Sequence, residues 1–101
     1  MGNVRGNCYS KKHTKIKVSS DKFWDFSLDQ MAKYDIPAMI DYVLEATQQR
    51  HVFYVGHSQG SMLMMAALSE NEDLAHKIKV NFALAPISRM NNVKGEDTAP
   101  F

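Results

Sequence analysis

The stretch "VFYVGHSQGSM", residues 52–62, decides the fold because it joins an apolar run to an apolar helical pattern. The two are joined by a short turn, residues 56–60, which is called the corner below. Residues 51–58 are hydrophobic on both parities, which is typical of a parallel strand covered on both faces. Residues 59–69 predict a helix that is apolar on nearly every side. The segment "GHSQG", residues 56–60, lies between them, so Ser58 is predicted to occupy a tight turn between strand and helix.

Gly-x-Ser-x-Gly between a buried strand and a helix is typical of a nucleophile elbow. Strained backbone angles push the hydroxyl of Ser58 clear of the sheet, and side chains at Gly56 and Gly60 are expected to collide with the crossing backbone. The backbone N–H of Gln59, at the helix N-terminus, is the predicted oxyanion donor. His57 is expected to be a wall or hydrogen-bonding residue rather than a general base. The alternative is a glycine-punctuated turn with a buried, hydrogen-bonded serine.

The chain before this corner predicts a loop and then two helices. Residues 1–26 are predicted to be a loop-rich opening segment. Ser27 and Gln30 fit a capping box, which indicates the start of a helix. Pro37 lacks an N–H and restrains the residue before it, so we expect a break or kink near residues 34–36 and a second helix that begins with Pro37 in its first turn.

The remaining pattern predicts the α/β class. The second helix carries an apolar stripe at helical spacing, formed by Ile36, Met39, Ile40, Val43, Leu44 and Thr47. Residues 74–78 predict a short helix, and residues 80–86 predict a second buried strand. Strand, helix and strand in this order imply parallel pairing through a right-handed crossover. We therefore expect an α/β core over residues 27–87 and a loop-like tail over residues 88–101.

Composition narrows the function classes. The 101 residues allow one small domain, and 45% hydrophobic with 23% charged residues is ordinary for a globular segment. A net charge of +1 gives no global field for nucleic acid or an anionic membrane, and the basic residues within residues 1–17 are read as a solvated loop. Cys8 stands alone, so no internal disulfide is expected. No segment has the ~20 apolar residues of a membrane span, and no signal peptide is recognised.

Four stretches carry a resemblance to a known family. They are "GNVRGNCYS" (2–10), "FWDFSLDQMAKYDIPAMIDYVL" (23–44), "VFYVGHSQGS" (52–61) and "LAHKIKVNFALAPI" (74–87). Together they resemble the acid lipase family of lysosomal and gastric type. The resemblance implies an α/β-hydrolase fold, hydrolysis of triacylglycerols or sterol esters without metal or organic cofactor, and a lysosomal or secreted location. By position, Ser58 takes the nucleophile role and Gln59 that of a backbone oxyanion donor.

The catalytic partners of the serine are predicted to be absent from this chain. The hydroxyl needs a histidine to take its proton and a carboxylate to orient that histidine, and in this fold both follow the serine. Only His76 follows Ser58, and the acids before it, Glu70, Glu72 and Asp73, are only a few residues away on the same short element. They cannot approach Ser58 from two separate strand ends. We therefore expect the triad Asp and His to be missing.

Other readings remain open. Because the partners are missing, the isolated chain is expected to have negligible esterase activity and, with only two strands, marginal stability. A different class of function is a truncated, non-catalytic module that binds lipid or protein through its apolar helices. Thioesterases, acyltransferases and peptidases share the elbow.

His13 and His51 have no partner at metal-ligand spacing, so no metal site is expected. The sequence leaves the oligomeric state unknown.

Overall fold

A computed structural model describes residues 1–89 of the chain. Its two strands are β1 (Val52–His57) and β2 (Ile78–Leu84). The helical elements are α1 (Asp21–Trp24), α2 (Leu28–Gln30), a π-helical turn (Met31–Asp35), α3 (Ile36–Thr47), α4 (Gln59–Glu70) and α5 (Glu72–Lys77). The predicted order of helix, strand, helix and strand is present, and the α/β class is confirmed. Most of the predicted tail, residues 90–101, lies outside the described residues.

The two strands form a parallel pair. Their register runs from Val52 opposite Ile78 to His57 opposite Leu84, with one irregularity between Val52 and Phe53. The chain crosses from the end of β1 to the start of β2 through α4 and α5, because parallel strands need a long connection. This topology places Ser58 at the C-terminal end of the sheet, where β1 ends and α4 begins.

The helix is not broken before Pro37: a π-helical turn interrupts its regular geometry there, and Pro37 lies in the first turn of α3, as expected. Ser27 starts the helix as expected, and its backbone N–H donates to Oε1 of Gln30 over 2.7 Å. The chain then stays helical through Ile36, which has φ −62° and ψ −53° and whose N–H donates to the carbonyl of Met31. That five-residue spacing defines a π-helical turn. The wider turn accommodates Pro37, which has no N–H to donate and whose ring would crowd a carbonyl one α-turn earlier.

The core lies where α3, the π-helical turn, α4 and α5 meet. Its buried apolar residues are Ala32, Ile36, Ile40, Leu63, Met64, Ala67 and Leu74. The predicted stripe on α3 is only partly buried, because Val43 is 42% exposed beside an open groove between α3 and β1, and Thr47 is exposed too. Only the first half of α3 therefore contributes fully buried side chains.

One face of the sheet is bare within residues 1–89, so the predicted coverage of both faces is not found there. Tyr54 and Gly56 point to the helical side, whereas the alternate residues Phe53 and Val55 are 62% and 63% exposed. On β2 the exposed large apolar residues are Val80, Phe82 and Leu84. No helix among these residues is both long enough and apolar enough to cross a bilayer.

Candidate functional site

Ser58 occupies the corner between β1 and α4 with φ 51° and ψ −111°. A positive φ is uncommon for a residue with a side chain, and such strained conformations cluster at active sites and ligand clamps. Ser58 is half-buried. The tight turn expected from the sequence is therefore present at the expected residue.

Hydrogen bonds hold the backbone of this corner on both sides. The N–H of Ser58 donates to the carbonyl of Leu84, the last residue of β2, over 2.9 Å. The carbonyl of Ser58 accepts the N–H of Ser61 over 3.1 Å and that of Met62 over 3.2 Å. It also accepts the hydroxyl of Ser61 over 2.6 Å. The strained residue is thus tied both to the neighbouring strand and to the first turn of α4.

The two glycines of the motif are not equivalent. A Cβ on Gly56 would lie 2.7 Å from the backbone carbon of Gly60 and 2.7 Å from the backbone nitrogen of Ser61. The expected collision is therefore present at Gly56. At Gly60 the expectation is wrong, because a Cβ there would meet only the hydroxyl of Tyr54 at 3.6 Å, an ordinary contact. Gly60 already lies within α4.

Tyr54 and Ser61 support the corner, and the sequence reasoning missed both. The hydroxyl of Tyr54 donates to the carbonyl of Gly60 over 2.9 Å, and burial raises the pKa of Tyr54. Ser61 is completely buried. The sequence contains a signal for each of them. Tyr54 lies two residues before Gly56, so both face the same side of the strand, and Ser61 is a polar residue on a helix predicted to be buried on all sides.

The other residues of the motif face solvent. Gln59 is exposed, and its backbone N–H is the first of α4, so no earlier carbonyl of the helix can accept it. Its side-chain Nε2 lies 3.9 Å from Sδ of Met31. His57 is exposed and has the parity of Phe53 and Val55, on the bare face of the sheet. The roles assigned to Gln59 and His57 stay predictions.

Among the described residues, the histidine and the carboxylates that follow the motif lie far from Ser58; Glu96 and Asp97 lie outside the described residues. Ser58 precedes α4 and Glu70 ends it, and a 12-residue helix is ~18 Å long. His76 comes just before β2, whose first residue pairs with Val52 at the opposite end of β1 from Ser58. The imidazole of His76 is 78% exposed and lies 3.9 Å from the carboxylate of Glu72 on α5. None of these groups is placed beside the serine.

No metal centre is indicated within the described part of the chain. His13 is exposed, and its Nδ1 accepts the backbone N–H groups of Lys15 and Ile16. His51 is also exposed. Among residues 1–89, no group of three or more His, Cys, Asp or Glu side chains could hold a metal ion.

The opening segment is anchored close to the corner. Arg5, which the sequence assigned to a solvated loop, instead forms an ion pair of 2.6 Å with Asp35 in the π-helical turn. Asn3 and Asn7 line the same groove as Gly56 and other residues of β1. The opening segment therefore forms one wall of the groove beside β1.

Comparisons with known proteins agree with this architecture. A family model described as the alpha/beta hydrolase fold matches residues 1–100. Human lipase member K is 53% identical over 87 residues, which are 86% of this chain and 22% of that protein. Human lysosomal acid lipase/cholesteryl ester hydrolase is 52% identical over 88 residues, 87% of this chain and 22% of that protein. Lipase lipl-3 of Caenorhabditis elegans is 51% identical over 96 residues, 94% of this chain and 24% of that protein.

This chain spans between 22% and 24% of the length of these relatives. The resemblance to acid lipases found in the sequence is confirmed by the relatives of that name. The parallel pair, the crossover through α4 and the strained corner are also what this fold requires. The chain therefore belongs to the alpha/beta hydrolase fold family.

Proposed function

We propose that this chain carries the nucleophile of a serine-dependent carboxylic ester hydrolase that acts on neutral lipids, either triacylglycerols or sterol esters. The observation that carries the proposal is the backbone of Ser58, with φ 51° and ψ −111° between a strand and a helix N-terminus. The names of the relatives, among them lysosomal acid lipase/cholesteryl ester hydrolase, support the substrate class and a lysosomal or secreted location.

The proposed chemistry is acyl transfer in two steps. Oγ of Ser58 attacks the ester carbonyl carbon, the alcohol leaves, and an acyl-enzyme forms. Water then attacks the acyl group and releases the fatty acid. In both steps negative charge develops on the carbonyl oxygen, and the backbone N–H of Gln59 donates to that oxygen. The proposal includes no metal ion or organic cofactor.

The proton of the Ser58 hydroxyl needs an acceptor that residues 1–89 do not place beside it. A histidine oriented by a carboxylate normally fills this role. His76 and the nearby acids lie at the opposite end of the sheet from Ser58. We therefore propose that the isolated chain has negligible esterase activity. Turnover of p-nitrophenyl butyrate by the isolated chain, lost in Ser58→Ala, would contradict this part of the proposal.

A chimera tests the function itself. This chain replaces the aligned segment of human lysosomal acid lipase/cholesteryl ester hydrolase, to which it is 52% identical. The chimera is expected to hydrolyse p-nitrophenyl butyrate and emulsified cholesteryl oleate, and Ser58→Ala should lower kcat by more than about ten-thousand-fold. Ser69→Ala, at an exposed position of α4, is the matched control and should retain activity. A folded chimera without Ser58-dependent hydrolysis overturns the proposal.

A second candidate function is a non-catalytic module that binds lipid. The bare apolar face of the sheet favours it, because exposed apolar patches mark interaction surfaces. Fluorophosphonate treatment of the chimera separates the two candidates. Stoichiometric labelling of Ser58 supports the hydrolase. No labelling, together with saturable binding of the chain to phosphatidylcholine vesicles that Phe53→Ser and Phe82→Ser abolish, supports the module.

A further inference from the structure

The peptide group between Ser58 and Gln59 carries two functional atoms. One is the carbonyl oxygen of Ser58, and the other is the N–H of Gln59, which the proposed function assigns to the oxyanion. A peptide group is planar, so any contact that fixes the direction of its carbonyl also fixes the direction of its N–H. The partners of the Ser58 carbonyl therefore decide where the N–H of Gln59 points.

Ser61 supplies the shortest of these contacts. Its hydroxyl donates to the carbonyl of Ser58 over 2.6 Å. Ser61 is 0% exposed and is the one fully buried polar residue within residues 1–89. A buried hydroxyl is costly unless it is hydrogen-bonded, so this bond fixes the rotamer of Ser61. A surface serine can turn its hydroxyl to donate to water, whereas the buried hydroxyl of Ser61 cannot.

A comparison within α4 shows what is particular to Ser61. Ser69 makes a bond of the same kind, from its hydroxyl to the carbonyl of Ala66 over 2.7 Å, but Ser69 is exposed. Serines often bond back to the preceding helical turn. The acceptor of Ser61 differs, because Ser58 precedes the helix and has φ 51° and ψ −111°. Regular helical geometry therefore does not fix the orientation of that carbonyl.

Each strained torsion of Ser58 has a hydrogen bond that opposes its relaxation. The angle φ orients the peptide group before Ser58, whose N–H donates to the carbonyl of Leu84 over 2.9 Å. The angle ψ orients the peptide group after it, whose carbonyl accepts the hydroxyl of Ser61. That carbonyl also accepts two backbone N–H groups at longer distances, 3.1 Å and 3.2 Å. Donors at a carbonyl polarise the amide and strengthen its own N–H as a donor.

We propose that Ser61 is a positioning residue: its buried hydroxyl orients and polarises the Ser58–Gln59 peptide, so that the N–H of Gln59 is directed at the oxyanion. The consequence for the reaction rests on the function proposed above for Ser58. The orientation of the peptide group is a property of the chain itself and can be measured without any reaction.

The first measurement uses the full chain and nuclear magnetic resonance. The amide ¹⁵N shift of Gln59 responds to hydrogen bonds at the Ser58 carbonyl, which belongs to the same peptide group. Ser61→Ala should move this signal, Ser61→Thr, which keeps the hydroxyl, should restore it, and Ser69→Ala should leave it unchanged. If Ser61→Ala does not fold, Ser61→Cys keeps the volume with a much weaker donor and takes its place.

The second measurement uses the chimera and separates kcat from KM. The oxyanion exists only after attack, so a misdirected donor lowers kcat and leaves KM unchanged. Since removal of a whole oxyanion donor costs 10²–10³-fold, we expect a loss of about ten-fold in Ser61→Ala and recovery in Ser61→Thr. Ser69→Ala should keep the parent kcat. A loss of kcat that only follows a lower melting temperature would indicate a structural role and overturn the inference.

The two measurements distinguish this inference from the proposed function. An unmoved Gln59 signal in Ser61→Ala overturns the inference whatever the chimera does. A moved signal in a chain whose chimera lacks Ser58-dependent hydrolysis overturns the proposed function and keeps the role of Ser61 in orienting the peptide. A moved signal with the parent kcat overturns the catalytic consequence assigned to Ser61.

Discussion

The carboxylate of Asp35 accepts four hydrogen bonds from three donor groups of Arg5, which lies 30 positions earlier in the chain, and the longest of the four joins Nε to Oδ2 over 3.1 Å. The backbone N–H of Arg5 donates to Oδ2 over 2.8 Å, and Nε and Nη2 donate to Oδ1 over 2.9 Å and 2.6 Å. The hydrogen bonds to Asp35 raise the pKa of Arg5, although desolvation opposes them. This pair fastens the opening segment to the π-helical turn, because planar guanidinium and carboxylate groups match in geometry.

Asp35→Asn should destabilise the chain by about 1–2 kcal/mol, because it removes the charge from a half-buried, bidentate pair. Urea unfolding followed by circular dichroism measures the loss. The matched control is Asp41→Asn, since Asp41 is 55% exposed in its ion pair with Lys77. Exposed pairs contribute little, so the control should change stability by less than about 0.5 kcal/mol. Equal losses in the two variants would contradict the anchoring role of Asp35.

Gly56→Ala should destabilise the chain strongly, and Gly60→Ala should not. The new Cβ at residue 56 would lie 2.7 Å from two backbone atoms, so β1 and α4 would have to move apart. Overpacking of this kind costs about 1–3 kcal/mol. At residue 60 the nearest atom is 3.6 Å away, and alanine favours the helix. Thermal melting of both variants measures the two losses of stability. A larger loss of stability in Gly60→Ala than in Gly56→Ala would show that the corner is packed differently.

The half-buried phenol of Tyr54 should make the chain sensitive to alkali. Burial raises the pKa of Tyr54 above its ordinary 10.0. The folded chain then holds this proton more tightly than the unfolded chain, so the contribution to stability is complete below pH 10 and is lost as the pH rises above it.

Tyr54→Phe removes this group, so its melting temperature should fall less steeply than that of the parent above pH 10. Melting curves recorded from neutral to strongly alkaline pH make the comparison. Tyr42→Phe, at a side chain that is 72% exposed, is the control and should keep the parent slope. If the melting temperature of Tyr54→Phe falls with pH as steeply as that of the parent, the loss of stability at alkaline pH has another origin.

Met64→Ala should destabilise the chain by about 2–5 kcal/mol, whereas Met65→Ala should change its stability by less than about 1 kcal/mol. Met64 is 0% exposed, and alanine there leaves a cavity between α4 and the core. Met65, its neighbour in the chain, is 36% exposed. Urea unfolding of the two variants compares the same chemical change on two sides of one helix, and similar losses would mean that α4 is rotated relative to this description.

The strand, corner and helix could be predicted because each has a local signal. The apolar run of β1 ends at Gly56, and Ser58 stands where strand periodicity gives way to helix periodicity. The α/β class follows from that order of elements, since parallel strands require the crossover. The proposed substrate class rests on the family resemblance, because no spacing of residues contains it.

The remaining features depend on contacts between distant residues. Pro37 predicts a break or kink, but not the π-helical turn before it, which Arg5 of the opening segment also holds through Asp35. In the motif Gly60 looks equivalent to Gly56. The two differ only in the folded chain, where the backbone of α4 passes close to Gly56 and leaves room for a Cβ at Gly60. The role of Ser61 depends on the direction of one carbonyl, which no sequence pattern encodes.

The bond between the N–H of Ser58 and the carbonyl of Leu84 joins the turn to a residue that is added 26 positions later. A ribosome completes β1 and α4 before it adds Leu84, so the emerging chain has no partner yet for that N–H. We expect the serine to relax towards ordinary backbone angles until β2 docks. The proposed nucleophile would then reach its final backbone geometry only after the parallel pair has closed.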